Sequence, residues 1–206
     1  MKVLLVNGSP ERSGCTHRAL VEVASALEKE GVETEIFWIG DGAIAGCLAC
    51  HGCYKQNSCV IDDVVNEFVE KAYTADGFIF GSPVHYAAAS GSMTSFMDRC
   101  FYSSKPAFFQ KPGACVVVAR RGGTTAALDQ LNKYLTINQM PVVSSQYWNM
   151  VHGNTPEEVE QDLEGLQTMR TLGRNMAWLL KCIEAGKQAG IEPPKPEEKR
   201  YVTNFI

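Results

Sequence analysis

Apolar residues fall in short continuous runs, separated by longer stretches with helical spacing. Val3-Leu4-Leu5-Val6 is a run of the first kind and reads as a buried parallel strand. His17 to Leu27 carries its apolar residues at helical spacing, and Glu30-Gly31 ends it with a glycine cap. Glu33 to Ile39 alternates polar and apolar, the pattern of an edge strand. Asp62-Asp63 opens a helix whose apolar face is Val64, Val65, Phe68, Val69 and Ala72. Asp76 to Gly81 and Ala114 to Ala119 are two further buried strands, followed by helices at Met93–Tyr102 and Ala126–Thr136. A shorter fifth strand is expected at Pro141–Ser145. Thr155-Pro156-Glu157-Glu158 is a capped helix start with a capping box, and the helix is expected to run to about Gly186. Residues 187–206, with three prolines and several charges, read as a tail behind one domain of residues 1–186.

Strand and helix thus alternate in an α/β order, which predicts a doubly wound parallel sheet with helices on both faces. Loops 8–16, 82–92 and 119–125 then lie at carboxyl ends of strands and converge where such sheets bind ligands. The first loop is rich in hydroxyls and opens a helix, a natural phosphate cradle, although an ordinary capped turn would look similar. It contains neither G-x-G-x-x-G nor G-K-[ST], which disfavours a dinucleotide fold and a triphosphate loop. The second loop offers an aromatic, a histidine and small residues; the third offers glycines, threonines and guanidinium charge. A flat ring carrying one phosphate fits this inventory, and FMN is such a molecule.

The 206 residues are 45% hydrophobic, enough for a substantial core, and the net charge of −4 argues against nucleic-acid binding. The N-terminus enters a strand directly, and no apolar run approaches the ~20 residues of a membrane span, so a cytoplasmic protein is expected. Eight cysteines in such a chain do not read as a disulfide framework. Four of them form the run Cys47-x2-Cys50-x2-Cys53-x5-Cys59. The close spacings suit neighbouring irons of a [4Fe–4S] cube better than zinc, which prefers two separated pairs; free thiols are the remaining alternative. Cys100, Cys115 and Cys182 are expected to be buried small hydrophobes, and Asp98 and Arg99 a structural pair within their helix.

Gly8-Ser9-Pro10 with Thr16, Ser82-Pro83-Val84-His85-Tyr86, Asp98-Arg99 and the cysteine run ahead of Asp62-Asp63 together resemble the flavodoxin-like NADPH-dependent FMN reductases. More narrowly they resemble the iron–sulfur flavoproteins. The resemblance covers residues 1 to about 150. It implies a five-stranded flavodoxin-like sheet in the order 2-1-3-4-5, one FMN per subunit, and a homodimer or homotetramer. It implies phosphate binding by Ser9, Ser13, Cys15 and Thr16, with Arg12 alongside. Pro83, Val84, His85, Tyr86 and Ala87 would lie against the isoalloxazine, and Arg120, Gly122, Gly123 and Thr124 would reach it from the other side. Family members commonly carry Asn where this chain has Cys15, a poor donor, which leaves only its backbone N–H for the phosphate.

His85 and Tyr86 are the residues placed to touch the reacting ring, although hydride transfer to a flavin needs no protein base. Arg120 or Arg121 would stabilise an anionic reduced flavin. Thr16 has two readings, phosphate donor or simple helix cap. The leading functional expectation is electron transfer from NAD(P)H through FMN to a quinone, a flavin or another small acceptor. The alternative is an electron carrier that takes electrons from ferredoxin through a [4Fe–4S] cluster bound by Cys47, Cys50, Cys53 and Cys59. A non-enzymatic FMN-binding module is the third.

Overall fold

The computed structural model describes residues 1–195, 197–199 and 201–203. Its strands are β1 (Lys2–Asn7), β2 (Glu33–Trp38), β3 (Gly77–His85), β4 (Ala88–Ala89), β5 (Gly113–Ala119) and β6 (Met150–His152). Its helices are α1 (Cys15–Lys29), α2 (Cys53–Gln56), α3 (Val64–Ala72), α4 (Gly91–Ser103), α5 (Lys105–Phe108), α6 (Thr124–Ile137), α7 (Pro156–Val159) and α8 (Leu163–Gln188). The parallel path of the sheet is β2-β1-β3-β5-β6, with β4 folded back antiparallel on β3. Leaving that two-residue hairpin strand aside, this is the expected order 2-1-3-4-5.

Burial follows strand position. β1, β3 and β5 are buried almost throughout, whereas β2 at the edge is mostly half-buried. Each face of the sheet has its own core. On one, Phe37, Phe68, Phe78, Phe80, Phe96, Phe101 and Phe108 form a contiguous aromatic cluster, with Phe68 5.2–6.4 Å from five other rings at centroid distances. On the other, α1 and α8 cover Val3, Leu5, Ile79, Val116 and Val118.

Several expected boundaries move. The strand expected at 141–145 is not formed; Val142 makes only an isolated bridge to Gly113. The last strand lies later, where Met150, Val151 and His152 pair with Val117, Val118 and Ala119. Two apolar positions in the Pro141 segment gave the wrong one of two short runs. The long last helix is broken. Thr155 does cap α7, accepting from Glu158 N–H, but Glu158 reaches back to Asn154 N–H rather than closing the box on Thr155. Asp162 then starts α8 by accepting from Gly165 N–H. Cys100 and Cys115 are buried as expected, but Cys182 is exposed on α8. Among the described residues no helix is long and apolar enough to cross a membrane.

Candidate functional site

Asn7 shapes the first loop. It is fully buried at the end of β1; its Oδ1 accepts from Ser9 N–H at 3.1 Å and its Nδ2 donates to Arg12 carbonyl at 3.1 Å. Gly8 follows because there is no room for more. A Cβ there would stand 2.6 Å from Met93 Sδ and 2.8 Å from Gly81 carbonyl. Trp38, from the end of β2, donates its indole N–H to Ser9 carbonyl at 2.8 Å, and the Arg12 guanidinium lies 5.5 Å from the centre of that ring. Asn7 and Trp38 were missed in the sequence. Their signal was only position, one at each carboxyl end of the two adjacent strands β1 and β2.

The loop delivers the chain to α1 with its first amides unspent. The N-cap is Gly14, which has no side-chain acceptor, and the first intrahelical bond runs from Arg18 N–H to Gly14 carbonyl. Cys15, Thr16 and His17 N–H therefore point out of the helix end, where the dipole favours an anion. Thr16 is 1% exposed and its methyl packs where a Cβ on Gly81 would meet it at 3.0 Å. It sits inside the helix, two residues beyond the N-cap, so it is not the helix cap. Burial, with Glu11 close by, raises the Cys15 thiol above its ordinary range, so it stays neutral and adds no charge to the cradle. Ser9 is buried, while Arg12 and Ser13 are exposed.

The expected second loop is largely a hairpin. Ser82, Pro83, Val84 and His85 belong to β3, and the reversal is only Tyr86-Ala87. Both residues have positive φ, 50° and 61°, which a two-residue hairpin turn of the primed kind demands and which non-glycine residues adopt at a cost of roughly 1 kcal/mol or more each. The turn is held from three sides. Ala89 N–H donates to Gln130 Oε1 at 3.1 Å, Ser90 N–H donates to Ser82 Oγ at 3.0 Å, and Ser90 Oγ donates to Gly8 carbonyl at 3.1 Å. That last bond ties the second loop to the first. Gly123, at φ 93°, ties it to the third: a Cβ there would stand 2.5 Å from Ala87 Cα. Tyr86 projects fully into solvent and His85 is exposed, while Pro83 and Val84 are half-buried. Arg120, Arg121 and Gly122 are exposed, and Thr124 is buried at the first position of α6. The three expected loops are thus physically joined around the carboxyl ends of β1, β3 and β5. Met93 and Phe96, on the helix that follows this hairpin, are wholly buried and belong to the core.

The cysteine run forms a second locus. Cys47, Cys50, Cys53 and Cys59 all line one cavity with Leu48, Val60, Tyr102 and Arg99. Among the described residues no three His, Cys, Asp or Glu side chains are gathered tightly enough to hold a single ion. Four thiols lining one cavity are the donor set that a cube-type cluster uses. Ala49, His51 and Asn57 have positive φ. Such left-handed residues turn backbone N–H groups into concavities of the kind that hold anions and iron–sulfur groups.

Arg99 does not pair with Asp98. Its side chain is completely buried on α4, and it donates to both carboxylate oxygens of Asp63, at 2.7 and 2.8 Å. It also donates to the carbonyls of Ile61 at 2.8 Å and Ala45 at 3.4 Å, and from Nε to Cys59 Sγ at 3.2 Å. Burial alone would raise the Asp63 carboxyl, but the guanidinium and Val65 N–H outweigh it and hold the pKa below the ordinary range. Asp98 instead accepts from Tyr134 Oη at 2.6 Å.

The sequence profile of the NADPH-dependent FMN reductase family matches residues 1–155. An iron–sulfur flavoprotein of Methanocaldococcus jannaschii is 34% identical over 196 residues, which cover 89% of this chain and 100% of the relative. Among solved structures, a flavodoxin from the domain Archaea superposes with a TM-score of 0.60 at 16% identity, covering 88% of this chain and 99% of that one. An NAD(P)H:quinone oxidoreductase of Methanothermobacter marburgensis does so with a TM-score of 0.64 at 16% identity, covering 85% and 96%. These two likenesses establish the flavodoxin-like fold.

Proposed function

The chain belongs to the NADPH-dependent FMN reductase family and is a flavoprotein oxidoreductase, and from that premise we propose that it is an iron–sulfur flavoprotein, exchanging electrons between a [4Fe–4S] cluster and FMN. The observation that carries this reading is that Cys47, Cys50, Cys53 and Cys59 line one cavity. The donor set at the first loop fits FMN independently. Three unspent amides at the start of a 15-residue helix, with the hydroxyls of Ser9, Ser13 and Thr16, offer a compact cradle for one terminal phosphate.

FMN, when bound, supplies the capacity to take up two electrons as a hydride and to release them singly. The chain's own residues do the rest. The amides of Cys15, Thr16 and His17 hold the phosphate. The strained Tyr86-Ala87 turn, braced by Gly123, presents a flat edge to the ring, and Tyr86 stands free to cover it. Arg120 or Arg121 supplies positive charge on the opposite side. The thiolates of Cys47, Cys50, Cys53 and Cys59 hold the cluster.

The test is protein prepared without oxygen and analysed for iron, acid-labile sulfide and FMN per chain, beside Cys50→Ser. Wild type is expected to hold about four irons and one FMN; Cys50→Ser should lose most iron and keep FMN. Substoichiometric iron in wild type even after reconstitution would leave a plain flavin reductase. A second reading has NAD(P)H as donor and a quinone or other small acceptor. The full exposure of Tyr86 supports it, since a side chain packed against nothing is free to move aside for a second planar ring. Steady-state NAD(P)H oxidation with a quinone tests it.

A further inference from the structure

A guanidinium has five N–H donors, and all five of Arg99 are committed within one region of the chain. Two bonds go to Asp63, two to the carbonyls of Ala45 and Ile61, and Nε–H goes to the sulfur of Cys59. Ala45 lies just before the first cysteine of the run; Ile61 and Asp63 lie just after the last. One side chain thus closes both ends of the segment that carries four thiols, and it does so from a rigid helix. Among the described residues Arg99 has no side-chain hydrogen bond outside this segment. It is completely buried and lines the cysteine cavity itself.

Resting on the iron–sulfur reading above, we propose that Arg99 is the positioning residue of the cluster: it fixes Cys59 as a ligand and, by donating Nε–H to that sulfur, raises the cluster's reduction potential. The physical basis is charge. Each added electron is spread partly over the ligating sulfurs, and a donor aimed at one of them favours the reduced form. Asp63 neutralises the arginine overall, but its carboxylate binds the two terminal nitrogens, which leaves Nε–H directed at sulfur. Lysine cannot reproduce this, because an ammonium has no planar fork with which to hold a carboxylate on one side and a sulfur on the other.

The experiment compares reconstituted wild type with Arg99→Lys, which keeps the charge and loses the fork. Three quantities are read: iron per chain, the rate of iron release to a chelator, and the midpoint potential of the cluster by dye-mediated titration. Arg99→Lys should release iron roughly tenfold faster or more, and its midpoint should fall. FMN content should not change. In parallel, wild type grown with ¹⁵N-arginine is examined by electron spin-echo spectroscopy of the reduced cluster, which requires no variant to fold. A ¹⁵N coupling is expected, since Arg99 is the one arginine among the described residues that lines the cavity. An unchanged midpoint in folded Arg99→Lys, or no ¹⁵N coupling in wild type, would overturn the role of Arg99 while leaving the cluster reading intact. Wild type that takes up no iron would overturn both.

Discussion

Replacing Thr16 by Val separates a ligand-binding role from a structural one. The side chain is 1% exposed, and its methyl fills the space beside Gly81. Valine keeps that methyl and exchanges only the hydroxyl, so the core contact survives. The helix cap is Gly14, with no side-chain bond, so no cap is lost either. Stability without FMN should therefore change by no more than about 1 kcal/mol. Binding should respond strongly. A hydroxyl donating to a phosphate dianion forms a charge-assisted bond worth about 1.5–3 kcal/mol, which converts to roughly a 10- to 150-fold higher dissociation constant. The measurement is titration of the apoprotein with FMN by flavin fluorescence, paired with thermal unfolding of both apoproteins. An unchanged dissociation constant would show that the phosphate is held by backbone amides alone. A large loss of stability with unchanged binding would make Thr16 a packing residue and refute the reasoning above.

Gly123→Ala should weaken FMN binding without touching the phosphate loop, because the new methyl meets Ala87 Cα at 2.5 Å and φ is 93°; near-wild-type affinity would mean that the second and third loops need not touch. Glu22 bridges Arg18 and Arg170 between α1 and α8; burial opposes its charge, but those partners hold its pKa below the ordinary 4.5. A depressed folded pKa gives stability that is present above 4.5 and lost as pH falls through the lower folded value. Glu22→Gln should therefore flatten the acid side of the melting-temperature profile, and a profile parallel to wild type would refute this. A homo-oligomer is expected in solution, with apolar Leu48, Tyr54, Val60 and Tyr102 exposed around the cysteine run as the surface to cover. Light scattering that gives a monomer at working concentration would count against it.

What the sequence by itself determined was whatever depends on local pattern. The continuous apolar runs of β1, β3 and β5 marked buried strands, and the alternation in β2 marked an edge, because side-chain period and burial are linked directly. The hydroxyl-rich stretch before α1 announced an anion site for the same local reason: a helix must leave its first amides unpaired. The spacing of Cys47, Cys50, Cys53 and Cys59 was legible without coordinates. What only the tertiary structure decided was every relation between distant segments. Arg99 pairs with Asp63 rather than Asp98 because the chain between them folds back, and neighbours on a helix do not face each other. The last strand settled at Met150–His152 because β5 offers its free edge there. Tyr86 and Ala87 adopt a turn that their own preferences oppose, and they hold it because Gln130 of α6 and Gly123 at its start close on the hairpin while Ser82 braces it from β3.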